Sequence, residues 1–202
     1  QNIILIFFFL NLISINAKIR NLADSKDYIT ARYIVENAKD TLQILSDEFE
    51  PNQEIQIFYN GQEIPYSKRF QFPAKGLRAL TFVITEDLNA DKMFKNLFSL
   101  SEVEMYSANR FYILGMESMF ENCQNLYSFS LQGFDTLKVK SLRRMFFNTR
   151  TLEQLDVSEF NTENVEDLSS MFESSGIGRL DLTSFDTKNV KKMDSMFKWC
   201  RS

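Results

Sequence analysis

Two carboxylates, Asp156 and Asp181, have a spacing that could do chemistry. They sit in the triplets Leu155-Asp156-Val157 and Leu180-Asp181-Leu182. If these triplets are adjacent strands, the carboxylates lie about 5 Å apart, a separation that suits retaining glycosidases and is compatible with calcium binding. Against that, Asp is the common residue at this point of a repeat and no pocket is implied, so we read no catalytic residue, no cofactor and no metal site here. Histidine is absent from all 202 residues. Its absence removes the commonest general base and metal ligand, and with them any serine or cysteine hydrolase built on histidine. There is no phosphate loop either. Two cysteines, Cys123 and Cys200, can build neither a four-cysteine zinc site nor a disulfide framework. The formal charge of −4 argues against nucleic acid or an anionic membrane as partner. With 44% hydrophobic and 25% charged residues, the chain is expected to fold around a packed core. The reading is a binding or structural protein and not an enzyme.

The elements that position these residues follow from a period. Met-Phe recurs at Met93-Phe94, Met119-Phe120, Met145-Phe146, Met171-Phe172 and Met196-Phe197, at intervals of 26, 26, 26 and 25 residues. A fixed beat of that length signals stacked supersecondary units. Val103-x-Met105, Phe129-x-Leu131, Leu155-x-Val157 and Leu180-x-Leu182 read as short strands with alternate side chains inward. Val139, Leu142, Met145 and Phe146 recur as Val165, Leu168, Met171 and Phe172 and as Val190, Met193, Met196 and Phe197. Those steps fit one stripe of a helix, with Thr136, Thr162 and Thr187 as N-caps. Each unit is then strand, turn and short helix, and no unit can bury its stripe alone. The predicted fold class is α/β: a β/α solenoid of leucine-rich-repeat type over 91–202, with four complete units and the start of a fifth. The first unit departs from the pattern at Ala108-Asn109-Arg110. Cys123 and Cys200 fall three units apart, about 14 Å, which predicts two unpaired and largely buried thiols.

Residues 1–17 read as a signal peptide with its start missing. The run Ile3 to Ile15 is apolar except for Asn11 and Ser14, and Ala17 would be the cleavage position. Because the chain stops just inside a fifth unit with no polar cap visible, we expect a fragment of a longer protein. Residues 18–90 read as a small antiparallel β unit that caps the array. Strands are predicted near Tyr28–Val35, Thr41–Leu45, Glu54–Tyr59, Arg69–Phe72 and Leu80–Thr85. The clearest feature is Ile55–Tyr59 closed by Asn60-Gly61, a type I′ hairpin signal. A small sandwich, immunoglobulin-like in form, would suit this spacing, although the Cys-Trp-Cys signature is absent.

The run Leu180-Asp-Leu-Thr-Ser-Phe-Asp-Thr-Lys-Asn-Val-Lys-Lys-Met-Asp-Ser-Met-Phe-Lys-Trp-Cys200 resembles the repeat of BspA-like surface proteins. Thr149 and Ser175 stand where that repeat usually has Cys, and Leu137-Lys138 replaces a more polar pair. The resemblance covers about half of the chain. It implies a secreted or surface-displayed protein of a bacterium or a microbial eukaryote, used for adhesion or protein binding.

Outward strand positions would stack into columns that form a candidate binding face. The first column is Glu102, Ser128, Gln154 and Arg179; the second is Glu104, Ser130, Asp156 and Asp181; the third is Tyr106, Gln132, Ser158 and Thr183. The face is polar and mildly acidic. It would take a protein or glycan ligand at an extracellular or cell-surface location, with a membrane involved only through an anchor elsewhere. A surface-coat or spacer protein without a specific ligand is the alternative.

Overall fold

The structure, a computed structural model, describes residues 27–200. The apolar run and the cleavage position read as a signal peptide lie outside the described residues.

Alternation of apolar and polar side chains builds the long strands. In β1 (Asp27–Val35), Ile29, Ala31, Tyr33 and Val35 are buried while Tyr28, Thr30 and Arg32 face outward. β2 (Thr41–Gln43), β3 (Gln56–Tyr59), β4 (Gln62–Ile64), β5 (Arg69–Gln71) and β6 (Gly76–Val83) follow. β3 and β4 form the hairpin at Asn60-Gly61, whose φ values of 49° and 76° are the two positive angles a type I′ turn needs. β7 (Leu88–Asn89), β8 (Leu100–Ser107), β9 (Ile113–Gly115) and β10 (Ser128–Gln132) complete the strands.

Six strands form one sheet in the order β10-β8-β1-β6-β3-β4. Within it β1 is antiparallel to both β6 and β8, while β8 and β10 run parallel. Two-stranded sheets β2-β5 and β7-β9 lie apart from it. The sheet crosses the junction expected near residue 90, because β1 is hydrogen-bonded directly to β8. Asp27 fastens that junction: its carboxylate accepts from the Ser107 hydroxyl and from the backbone and side-chain N–H groups of Asn109. The irregular Ala108-Asn109-Arg110 stretch is thereby tied to the first strand.

The described residues form an all-β, sandwich-like fold. Among the described residues there is no helix, which overturns the α/β solenoid of leucine-rich-repeat type. The residues read as helical stripes form linked β-turns instead. In 116–123, Met119, Glu121 and Cys123 donate their N–H groups three residues back, to Met116, Ser118 and Phe120. An α-helix would donate four back. The alternate amides leave the unit: Ser118, Phe120 and Asn122 donate to the carbonyls of Arg143, Met145 and Phe147 at 2.9 Å each. Every such segment needs two residues in the left-handed region, at 92 and 96, 118 and 122, 144 and 148, 170 and 174, and 195 and 199. Three of these are asparagines, the non-glycine type that tolerates that region best. Their side chains also link unit to unit, Asn122 to Asn96 at 2.8 Å and Asn148 to Asn122 at 2.9 Å.

The expected N-caps are likewise corrected. The Thr136 hydroxyl donates to the Asn161 carbonyl and accepts from the Asn161 N–H, and Thr162 does the same with Asp186. Both threonines join neighbouring segments rather than start a helix. The strands expected at 155–157 and 180–182 are absent too; only isolated bridges such as Gln154 to Arg179 remain.

The core lies between the six-stranded sheet and the turns. Phe94, Phe120, Phe146, Phe172 and Phe197 stack with ring centroids 5.5–5.8 Å apart. Phe82 of β6 and Phe129 of β10 meet that stack edge-on. Tyr33, Tyr59, Phe70 and Phe72 form a second aromatic group beneath β2-β5.

Candidate binding face

The predicted columns divide into two kinds of surface. At one end they are true sheet neighbours: Glu102 lies opposite Ser128, Glu104 opposite Ser130, and Tyr106 opposite Gln132. At the other end the strand geometry is gone. Asp156 accepts the Ser158 N–H at 2.9 Å, and Asp181 accepts the Thr183 N–H at 2.9 Å. Each carboxylate therefore closes a short turn in its own segment. These hydrogen bonds, from the backbone first and the hydroxyl second, hold both carboxyls below the usual carboxylate range, and Asp181 opposes the effect at Asp156. Neither carboxyl is raised, so neither is poised as a general acid at neutral pH. Both remain exposed.

An open groove of 730 Å³ draws together Gln154, Asp156 and Arg179, with Gly176 and Gly178 in its wall. A Cβ at Gly176 would lie 2.3 Å from the Arg150 carbonyl oxygen, so the backbone must come close there, whereas one at Gly178 would meet nothing within 4 Å. Bare backbone at Gly178 opens that side of the groove.

Sequence reasoning missed the neighbours that β1 contributes. Tyr28, Thr30 and Arg32 lie opposite Tyr106, Glu104 and Glu102. Tyr28 and Tyr106 hold their rings 5.5 Å apart. Arg32 pairs with Glu102 at 3.2 Å, and the Tyr127 hydroxyl also bonds to Glu102. Burial, then the charge of Glu104, raises the Tyr28 hydroxyl above its ordinary value. The alternation of β1 marked its outward residues, but no local pattern encodes its pairing with β8.

Among the described residues no group of three or more His, Cys, Asp or Glu could hold a metal ion. Cys123 and Cys200 are unpaired. Cys123 is buried, and burial pushes its thiol up to about 12. At pH 8 roughly one thiol in 10⁴ is then ionised, since each pH unit below the pKa costs a factor of ten. Cys200 is half-buried, its Sγ 2.9 Å from the Phe172 carbonyl oxygen. Titration of the native protein with a chromogenic aromatic disulfide is expected to modify Cys200 alone, and both thiols after denaturation. Rapid modification of Cys123 in the native state would contradict this packing.

Residues 88–202 match the family described as "Mycoplasma protein of unknown function, DUF285". The matched segment is more than half of the chain. The chain belongs to that family. The DUF285 segment begins at β7 and takes in all twelve predicted face residues, the groove and both cysteines, while Tyr28, Thr30 and Arg32 lie before it. No curated protein and no solved structure matches the chain.

Proposed function

We propose that this protein is a secreted or cell-surface binding module of the BspA-like kind, engaging a protein or glycan through the face that runs from Tyr28 and Tyr106 to the groove at Arg179. The observation that carries this reading is the groove, where Gln154, Asp156 and Arg179 stand exposed around open backbone. Polar groups of both signs converge there without closing on one another, as recognition of a polar ligand needs. The tyrosine pair at the other end adds rigid aromatic area with hydroxyl tips. The protein is not an enzyme in this reading: the exposed carboxylates are engaged by their own turns. It uses no cofactor and binds no nucleic acid, and a membrane enters only through an anchor. No helix among the described residues is long and apolar enough to cross a membrane.

The test is charge reversal at both aspartates, Asp156→Lys with Asp181→Lys, followed by capture from a glycan array and from labelled host-surface extract. A directly contacted carboxylate pair contributes about 1.5–3 kcal/mol, so capture is expected to fall by tenfold or more. Unchanged capture would remove the face from the binding reading. Absence of any capture by the unaltered protein would favour the alternative, a coat or spacer protein without a specific ligand.

A further inference from the structure

The outer face of the six-stranded sheet matches its charges unevenly. Outward from β8 point Glu102, Glu104 and Tyr106, and opposite them on β1 stand Arg32, Thr30 and Tyr28. The row at Glu102 is complete: Arg32 holds that carboxylate at 3.2 Å, and the Tyr127 hydroxyl donates to it as well. The next row is not. Glu104 has Thr30 on one side and Ser130 on the other, neither of which carries charge. Its half-buried carboxylate makes no ion pair among the described residues. The row beyond is the tyrosine pair, with rings 5.5 Å apart.

Toward the other end of β1 the same face turns apolar. Ile34, Leu42 and Phe98 line a hollow of 240 Å³, with the carboxylates of Glu36 and Asp40 at its rim. Phe98 is exposed by 56%, and Leu77, directly opposite Ile34, by 48%. Four residues of β1 separate Ile34 from Thr30, which is about 13 Å along the strand. An exposed apolar site and an unneutralised carboxylate therefore share one flat surface.

We propose that this face docks a partner protein through a basic residue seated at Glu104 and a large apolar side chain seated in the hollow beside Ile34 and Phe98. The inference rests on the reading of the chain as a binding module and narrows its partner to a protein with a basic surface. A neutral glycan would strip water from the Glu104 carboxylate without supplying a countercharge, and desolvation of an unpaired charge is costly. A lysine or arginine supplies that charge and lays its methylene stem along the rings of Tyr28 and Tyr106. Glu36 and Asp40, which make no ion pair among the described residues, add to the same preference, as does the formal charge of −4. Two copies of the chain set face to face would not supply the countercharge. Arg32 is the one cation among the outward residues of β1, β6, β8 and β10, and Glu102 already engages it.

The probe is a capped pentapeptide, Leu-Thr-Ser-Thr-Lys, whose first and last side chains fall on one side of an extended chain about 13 Å apart. Added to the full chain, it is expected to shift the amide resonances of Thr30, Glu104 and Tyr106 in a saturable way, and those of Ile34 and Ser99 with them. The same peptide with its lysine acetylated keeps the stem and loses the charge, so it should bind about tenfold more weakly. Glu104→Gln removes the charge on the protein side, and Thr30→Arg satisfies it from β1 as Arg32 satisfies Glu102. Each variant should weaken the lysine peptide by about tenfold, with circular dichroism confirming that both are folded. No saturable shift up to about 10 mM peptide, or equal affinity for the acetylated peptide or for both variants, would overturn the proposal. So would N-acetylglucosamine shifting the same resonances in the unaltered protein and in Glu104→Gln alike, or contacts from the Tyr106 ring to residues 18–26 of the same chain. Absence of peptide binding, together with capture that is lost on charge reversal at Asp156 and Asp181, defeats this inference alone and leaves the binding-module reading in place.

Discussion

Gly133→Ala is expected to cost about 3 kcal/mol or more, because it combines a steric collision with a backbone that L side chains rarely adopt. Gly133 follows β10 with a φ of 75°, and a Cβ there would lie 1.9 Å from the Ser107 carbonyl oxygen. The neighbour is backbone at the end of β8, held in place through Asp27, so it cannot swing aside as a flexible side chain would. The parallel pairing of β10 with β8, which carries Ser128, Ser130 and Gln132 of the candidate face, should loosen with it. Gly178→Ala is the matched control. Its Cβ meets nothing within 4 Å, and a change of no more than about 0.5 kcal/mol is expected. Urea denaturation of the two variants gives the comparison. A midpoint for Gly133→Ala equal to that of the unaltered protein would mean that β8 and β10 are not packed this closely.

Phe146→Ala should be comparably severe, at about 3–5 kcal/mol, the usual cost of emptying a buried aromatic site. The ring is fully buried. It stacks on Phe120 at 5.5 Å and on Phe172 at 5.8 Å, and Phe129 of β10 meets it at 5.6 Å. Removing it unseats both neighbours in the stack and one sheet residue. Phe197→Ala, in the last described segment, should cost only about 1 kcal/mol, since its ring has one stacking partner and stays half exposed. Denaturation followed by far-ultraviolet circular dichroism measures both. Equal losses for the two would show that the rings do not act as one graded stack.

Much of the β unit could be read from residue order. Asn60-Gly61 specified its hairpin locally, because two positive φ values are a property of the turn itself. The alternation in Asp27–Val35 likewise marked which side chains go inward. The pairing of that strand with β8 joins residues about 70 to 80 apart, and nothing local encodes it. The polar columns were therefore legible where β8 and β10 pair, while Tyr28 and Arg32, their neighbours on β1, were not.

The sequence by itself determined the period, the inward Met-Phe side chains from Met93 to Phe172 and the unpaired state of the two cysteines. Steps of three, three and one along Val139, Leu142, Met145 and Phe146 place these residues on one side in either a helix or a chain of linked turns. What separates the two is the acceptor each amide takes. In isolation an amide finds its best partner four residues back; here alternate amides find the carbonyl of the next segment at 2.8–3.1 Å. That partner exists only once the neighbour is in place, so tertiary structure decided for turns and against helices. It also decided where the carboxylates of Asp156 and Asp181 point, because the sheet pairing that would have held them on strands ends at β10.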